Sequence, residues 1–223
     1  MITDIRQNIL SALGSSEEYL IDRYPSNYFN SYIDIGARGT VSPNHVNHIG
    51  SNNPETQCIA YEPDIPYISE LESKTEDMDN VHCNREGYGL GEIVIPGGSC
   101  ASVTLSDIVE KYKIDTDSNW SIKFDCEGCE YFLFENKEDV DLLKKANHIA
   151  IEFHSTEHPV GNFFTRQNTL PNNFSNNENW LKENFSNTHN IFLTSKEPGL
   201  RTYVLITDQI MEEKKNLFWD GIL

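Results

Sequence analysis

The sequence predicts an α/β fold in which a mostly parallel sheet carries helices on both faces. Short, continuous apolar runs recur along the chain, and such runs are typical of strands that are buried on both faces. Most of these runs are followed by a stretch with helical spacing of apolar residues, so strands and helices alternate. Near the end of the chain, two apolar runs flank residues 195–199, whose Pro-Gly pair predicts a hairpin with one antiparallel strand.

Each predicted strand is an apolar run that ends at a turn residue. Gly36 ends the first strand, Pro63 follows the second, and Pro96 follows a short additional strand. The predicted strands are residues 32–35, 58–61, 80–83, 92–95, 120–124, 149–153, 190–194 and 201–207.

Predicted helices have apolar residues three or four positions apart. The clearest case has apolar residues at 105, 108, 109 and 112, and Pro66 suits the first turn of another helix. The predicted helices are residues 5–13, 17–24, 66–73, 105–112, 139–146 and 178–185.

The length of 223 residues favours one domain, here residues 31–223, preceded by a helical extension over residues 1–30. Residues 156–177 form a long polar stretch with many asparagines. Irregular segments of this length are uncommon in compact domains unless they bind or cover a ligand, so we expect a lid or substrate loop. A simple disordered excursion is the alternative interpretation.

The chain is strongly acidic, with 17 Lys and Arg against 35 Asp and Glu and a net charge of −18. This charge repels phosphate groups and argues against a protein that coats nucleic acid or binds an anionic membrane. No apolar run approaches the roughly 18 residues of a membrane span, and the first residues lack a signal-peptide pattern. Five cysteines, an odd number, do not suggest a disulfide framework, so we expect a cytoplasmic protein.

Candidate functional residues lie at the predicted carboxyl ends of strands, where open α/β sheets bind ligands. These residues are Asp34, Glu62, Asp125 and His154. The first end reads Asp34-Ile35-Gly36-Ala37-Arg38-Gly39, and its two glycines would let backbone N–H groups approach a ligand. A plain tight turn is the alternative, because the three-glycine dinucleotide pattern is absent.

Glu62 lies at the end of the next strand, 28 residues after Asp34. An acidic side chain in this place can accept hydrogen bonds from both hydroxyls of a ribose. The alternative is a solvated loop glutamate.

An acidic block, residues 122–130, follows the strand that ends at Phe124 and contains Asp125, Glu127 and Glu130. Grouped carboxyl groups raise one another's pKa and can serve as a general base or as metal ligands. Cys126 and Cys129 form a Cys-x-x-Cys pair, which also occurs in zinc and thiol-redox sites. No second pair has zinc-ribbon spacing, so we expect both cysteines to be buried packing residues.

His154 closes the sequence Ile151-Glu152-Phe153-His154 and is a candidate base or hydrogen-bond donor, although a structural histidine is the alternative. We expect no metal ion. If a divalent ion is used, its ligands would come from Asp125, Glu127, Glu152 and His154.

These motifs, together with Tyr61-Glu62-Pro63-Asp64 and Val103-Thr104-Leu105-Ser106-Asp107-Ile108, resemble the FkbM-type methyltransferases over about residues 31–155. The most specific part is the Lys-x-Asp-x-Glu-Gly-x-Glu pattern, which here reads Lys123-Phe124-Asp125-Cys126-Glu127-Gly128-Cys129-Glu130. The resemblance implies a Rossmann-like class I methyltransferase fold with a seven-stranded sheet.

The resemblance further implies S-adenosylmethionine as the methyl donor and a hydroxyl on a sugar, glycan or small metabolite as the acceptor. The loop from Asp34 through Gly36, Ala37, Arg38 and Gly39 would hold the methionine end of the donor, and Glu62 with Pro63 its ribose. Asp125 would lie between donor and acceptor, with Glu127 and His154 as further catalytic candidates. The glycine loop is one residue shorter than in the family and has Arg38 where asparagine is usual.

Two other functions fit the sequence less well. A non-catalytic nucleoside- or glycan-binding module would keep the same fold, and a zinc or thiol-redox protein would use the cysteine pair.

Overall fold

The computed structural model describes residues 1–13, 19–38, 45–95, 98–155, 174–214 and 222. Its strands are β1 (Ile2–Asp4), β2 (Ser31–Ile35), β3 (Gln57–Tyr61), β4 (Val81–Asn84), β5 (Gly87–Tyr88), β6 (Ile93–Ile95), β7 (Gly98–Cys100), β8 (Ser102–Val103), β9 (Trp120–Phe124), β10 (His148–His154), β11 (His189–Glu197) and β12 (Leu200–Thr207). Its α-helices are α1 (Arg6–Leu13), α2 (His45–Asn52), α3 (Ile65–Lys74), α4 (Leu105–Tyr112), α5 (Lys137–Leu143), α6 (Ser175–Phe185) and α7 (Asp208–Lys214). Short 3-10 helices cover Ile21–Arg23 and Cys129–Phe134.

The main sheet has eight strands in the order β1-β11-β12-β10-β9-β2-β3-β4. Neighbouring strands from β10 to β4 run parallel, whereas β12 runs antiparallel to both β10 and β11. The predicted parallel sheet with one antiparallel hairpin strand is therefore confirmed. Gly199, with φ 75°, follows Pro198 in the hairpin turn, as the Pro-Gly pair predicts.

The eighth strand corrects the expected number of seven. Ile2–Asp4 pairs in parallel with β11 at the edge of the sheet, with Ile2 opposite Ile191. Three residues are too few to show a strand periodicity, so sequence patterns do not reveal β1. A helix was expected over residues 17–24. The described part of this range contains only one 3-10 turn, and Leu20, which precedes that turn, has a φ of 54°. Residues 1–30 therefore contribute a strand as well as the predicted helix α1.

Two further differences concern short elements. The predicted strand at residues 92–95 does not belong to the main sheet. It corresponds to β6, which pairs with β7 in a separate two-stranded hairpin. Helix α2 was not predicted, because its polar sequence buries only Val46, Ile49 and Gly50.

The core forms one layer on each face of the sheet, because successive strand residues point to opposite faces. Ile33, Ile59 and Ile122 lie in the first layer, which α4, α5 and α6 cover. Tyr32, Cys58 and Ala60 lie in the second layer with residues of α1, α2 and α3. Strands β2 and β9 are buried along their whole length, which explains why most of their residues are apolar.

Parallel pairing aligns the carboxyl ends of the central strands. Ile35, the last residue of β2, lies beside both Tyr61 of β3 and Phe124 of β9. The residues that follow these strands thus share one edge of the sheet. In the described part of the chain, no helix has the length and apolar character needed to cross a membrane.

Candidate active site

Gly36 joins the three strand ends. Its φ is +87°, and a Cβ atom there would overlap the backbone oxygen of Asp125. The N–H groups of Gly36 and Ala37 donate to the carbonyl of Tyr61 at 2.8 and 3.2 Å, and the N–H of Asp125 donates to Ile35. Only glycine fits this crossing of two chain segments, so the glycine has a packing role in addition to its predicted binding role.

A small cavity opens at this edge of the sheet. Its lining includes Gly36, Arg38, Glu62, Pro63 and Asp125 from the predicted site. Tyr61, Tyr88 and Ile93 add an apolar side. The structure thus brings together most of the predicted donor-binding residues around one space.

Glu62 is buried, with 5% of its surface exposed. Burial raises the pKa of its carboxyl group to about 7, although the N–H of Asp64 and the charge of Arg38 oppose this shift. The Asp64 N–H donates to Oε1 at 2.8 Å. Glu62 therefore titrates near neutral pH, which a solvated loop glutamate does not do.

Arg38 lies between two carboxyl groups at the cavity. Its Nη2 is 3.2 Å from Oε1 of Glu127, and its Nε is 4.0 Å from Oε2 of Glu62. The guanidinium also lies 5.0 Å from the centre of the Tyr67 ring, within cation–π range. These contacts hold the one cationic side chain among the described residues that line the cavity.

Asp125 stands beside a buried lysine. Nζ of Lys123 lies 3.0 Å from Oδ1 of Asp34 and 3.3 Å from Oδ2 of Asp125. Burial by itself would raise the pKa of Asp125, but the charges of Lys123 and His154 outweigh it and lower the pKa to about 2. The pKa of Lys123 is raised: its two carboxylate neighbours outweigh burial, which would lower it. Asp125 is therefore a carboxylate at neutral pH.

His154 lies among four carboxyl groups. Its Nε2 is 3.3 Å from Glu152, 3.4 Å from Glu127 and 3.9 Å from Asp125, and its Nδ1 is 3.0 Å from Glu130. Burial would lower the pKa of His154, but Glu130 and the other acidic groups raise it well above 6.5. A protonated imidazole donates protons and cannot accept one. This favours Asp125 over His154 as the proton acceptor.

Glu130 orients His154 and was not singled out as a site residue by its sequence. It is fully buried, and its Oε1 accepts hydrogen bonds from the backbone N–H and Nδ1 of His154. Its Oε2 accepts from the N–H of Gly128 at 2.9 Å. The signal in the sequence was its place five residues after Asp125 in the acidic block.

Tyr19 is the other residue that sequence reasoning missed. Its hydroxyl lies 2.6 Å from Oε2 of Glu152 and 2.9 Å from Oδ2 of Asp125, so its single O–H can donate to either carboxyl group. Nζ of Lys123 lies 5.0 Å from its ring. No motif marks this tyrosine, because only the folding of the N-terminal segment onto the sheet brings it there.

Some predicted residues lie elsewhere. Asp34 is buried against Lys123 and does not line the cavity, and Ala37 is packed in the second core layer. Gly39 and residues 156–173 of the predicted lid lie outside the described residues, while residues 175–177 begin α6.

Cys126 and Cys129 differ from their predicted role. Both are half-buried at the cavity, and they form a disulfide instead of two buried packing thiols. Two residues lie between them, Glu127 and Gly128, and both have positive φ, which brings the two sulfur atoms together.

The residues that could hold a divalent ion also come together. One ligand atom each from Asp125, Glu152 and His154 lies within 4.8 Å of the others, and Glu127 is adjacent. Lys123 and His154 place positive charge among these carboxyl groups and offset part of their negative charge.

Comparison with known proteins identifies the fold. A solved structure from Clostridium thermocellum, named as a candidate rRNA-methylase, is similar with a TM-score of 0.50 and 12% identity, over 86% of this chain and 99% of that one. The METTL16 MTase domain is similar at TM-score 0.47 and 12% identity, over 85% of this chain and 64% of that one. Monomeric WbdD is similar at TM-score 0.44 and 11% identity. This similarity covers 90% of this chain and 38% of the WbdD chain.

No protein-family model matches the chain, and no curated protein matches it. At 12% identity the similarity shows the fold alone, a Rossmann-like α/β fold of the kind found in methyltransferases.

Proposed function

We propose that the chain is an S-adenosylmethionine-dependent methyltransferase of the FkbM type that methylates a hydroxyl group on a sugar, glycan or small metabolite. The observation that carries this proposal is the cavity at the carboxyl ends of β2, β3 and β9, which joins the Gly36 turn, buried Glu62 and Asp125. The fold shared with a candidate rRNA-methylase supports it. The donor supplies a methyl group on a positively charged sulfur, and we place the protein in the cytoplasm.

Glu62 would hold the ribose of the donor. Its carboxylate can accept a hydrogen bond from each ribose hydroxyl, and its burial at the cavity keeps water from competing for them. Tyr88 and Ile93 would provide the apolar surface for the base.

Asp125 would orient the acceptor and receive its proton. Lys123 and Tyr19 both contact Oδ2, which fixes the carboxylate, while Oδ1 faces His154 at 3.9 Å. A hydroxyl group of the acceptor can donate a hydrogen bond to this carboxylate. Its oxygen would then be held in line with the methyl group of S-adenosylmethionine. Most of the acceleration would come from this positioning.

The charge of the site favours an uncharged acceptor. Asp125, Glu127, Glu130 and Glu152 lie within one cluster, and the whole chain carries a net charge of −18. A phosphorylated or carboxylated acceptor would meet like charges there. A hydroxyl of a neutral sugar or metabolite does not, so such an acceptor is compatible with the charge of the site.

The experiment is a transfer assay with S-adenosylmethionine labelled in its methyl group and a panel of glycans and small hydroxylated metabolites. We expect label in a neutral hydroxyl acceptor. Asp125→Asn should lower the rate by about 100-fold or more. His154→Gln should also lower it, because the cation that faces Asp125 and Glu152 is lost. Asp141→Asn, at an exposed carboxyl group on α5, is the matched control.

Two results would contradict the proposal. Binding of S-adenosylhomocysteine without transfer to any acceptor would favour the non-catalytic nucleoside-binding module. Absence of binding would remove the donor site altogether.

A further inference from the structure

A second cavity lies at the opposite edge of the sheet, at the amino ends of β2 and β3. Phe29 and Thr56, which line it, come directly or shortly before these strands. Its volume of about 290 Å³ is near the lower limit for ligand sites in proteins, so it suits a small molecule. The described lining of this amino-end cavity shares no residue with that of the cavity proposed for the methyl donor. A ligand bound here would therefore be a separate one.

Several hydrogen-bond donors in this lining are engaged with the chain itself. The side-chain amides of Asn52 and Asn53 donate to backbone carbonyls of α2 at 2.9 and 2.8 Å. The Thr56 hydroxyl donates to the backbone carbonyl of Phe29 at 2.6 Å. A ligand with many hydroxyl groups, such as a sugar, would find these donors taken, whereas a ligand that itself donates would not need them.

Asp22 supplies an acceptor for such a ligand. It lines the cavity, and its Oδ1 is buried without a hydrogen-bond partner among the described residues. Nε2 of His48 lies 3.7 Å from this oxygen, beyond hydrogen-bond distance, and His48 is itself exposed. Burying a carboxylate oxygen without a hydrogen bond costs free energy, which a charged N–H group of a ligand would recover.

Aromatic rings form one side of the cavity. Tyr24 and Tyr28 stack with their ring centres 5.3 Å apart, and Phe29 packs against them at 4.6 and 5.0 Å. Tyrosine and phenylalanine rings attract cations through their π-electrons. The described lining contains no Lys or Arg, so a negatively charged ligand would meet Asp22 without such a cation to balance it.

We propose that the amino-end cavity binds a small organic ammonium ion, namely a primary amine with an apolar body. Its N–H groups donate to Asp22, and its apolar body lies against Ile21, Ile49 and Phe29. The net charge of −18 also favours the approach of cations over anions. An amino acid is a poorer ligand, because its own carboxylate would be repelled by Asp22. This inference concerns a separate cavity and does not depend on the proposed function.

Calorimetric titration with three related probes, in a buffer free of amines, tests this site. Phenethylammonium carries the charged group on an apolar body, 2-phenylethanol replaces that group by a neutral hydroxyl, and phenylalanine adds a carboxylate. We expect phenethylammonium to bind about 10-fold or more tightly than either of the others. Asp22→Asn should weaken phenethylammonium binding by about 10- to 100-fold, the value of a charged hydrogen bond. Binding of 2-phenylethanol should change less than about threefold.

Two further variants separate the site from the fold and from the overall charge. Asp22→Glu keeps the carboxyl group and should keep the preference for phenethylammonium over 2-phenylethanol. Asp141→Asn, at an exposed carboxyl group on α5 paired with Lys144, removes the same charge elsewhere and should leave binding unchanged. Equal losses in Asp22→Asn and Asp141→Asn would show attraction by the net charge alone and would overturn the inference.

The probes themselves can also overturn it. Equal binding of phenethylammonium and 2-phenylethanol to the wild type would show an apolar cavity without recognition of charge. Binding of glucose in place of phenethylammonium would make the cavity a saccharide site, and failure of phenethylammonium to bind would remove the ammonium site.

Discussion

Glu62 gives donor binding a pH dependence near neutrality. A carboxylate accepts hydrogen bonds from both ribose hydroxyls, whereas a protonated carboxyl group has lost one acceptor. With a pKa of about 7, the ionised fraction of Glu62 falls about tenfold between pH 8 and pH 6. The affinity for S-adenosylhomocysteine should fall by a similar factor over this range, measured by calorimetry.

The matched variant is Glu62→Gln, which cannot titrate. Its affinity should be lower than that of the wild type at pH 8 and constant down to pH 6. A wild-type affinity that does not change with pH would remove Glu62 from the ribose site.

Tyr19 stabilises two carboxyl groups at the centre of the molecule. Its hydroxyl contacts Asp125 and Glu152, so Tyr19→Phe removes the one O–H donor that these two carboxyl groups share. We expect a loss of roughly 1–3 kcal/mol in the free energy of unfolding, measured with denaturant. Tyr24→Phe removes a hydroxyl from the same segment, where it contacts Nδ1 of His148 at 2.8 Å, and should cost about 1 kcal/mol. An unchanged stability in Tyr19→Phe would show that the phenol contributes nothing to this cluster.

Some residues of the site can be predicted because they lie at the ends of strands. Others reach the site only through tertiary packing. Glu62, Asp125 and His154 were predictable because each follows or closes an apolar run. Tyr19 was not, because its sequence neighbours do not indicate that it folds onto Lys123. The Cys126–Cys129 disulfide was not either, since a Cys-x-x-Cys pair is equally compatible with packing, zinc or a disulfide.

The turn after β2 requires a glycine at position 36 in particular, more than it requires a glycine-rich sequence around that position. An alanine there would have to adopt φ +87° and would place its Cβ atom against the backbone of Asp125. Left-handed strain and overpacking together should cost roughly 3 kcal/mol or more. Gly91→Ala is the control, because φ there is +77° but nothing lies within 4 Å of the added atom, and about 1 kcal/mol is expected.

Thermal unfolding of the two alanine variants measures this difference. If Gly36→Ala unfolds at the same temperature as Gly91→Ala, the crossing of the β2 turn and the Asp125 loop is not as close as described.

Long buried elements were predictable, and short or polar elements were not. Strands β2, β3, β9 and β10 consist mostly of apolar residues because both faces of the sheet are covered, so their sequences indicate buried strands. Strand β1 has three residues, and α2 buries one narrow stripe of its surface. Such elements form against a surface that the rest of the fold provides. For strand β1 this surface is the edge of β11, and for helix α2 it is the second core layer.

In the described part of the chain, two cavities lie at opposite ends of the central strands. One lies at the carboxyl ends, with Glu62 and Asp125. The other, of about 290 Å³, is lined by Tyr24, Tyr28, Phe29 and Thr56, which precede β2 and β3 and so lie at the amino ends. The proposed function requires the donor to occupy the first cavity, since only there do the glycine turn and the acidic cluster meet.

Hydrogen exchange, followed by mass spectrometry with and without S-adenosylhomocysteine, tests this claim most directly because it locates the ligand on the chain. We predict slower exchange in peptides that contain residues 36–38, 61–64 and 125–129, and no change around residues 24–29 and 52–56. Protection at the amino-end cavity, or no protection anywhere at saturating ligand, would contradict the assignment of the carboxyl-end cavity as the donor site.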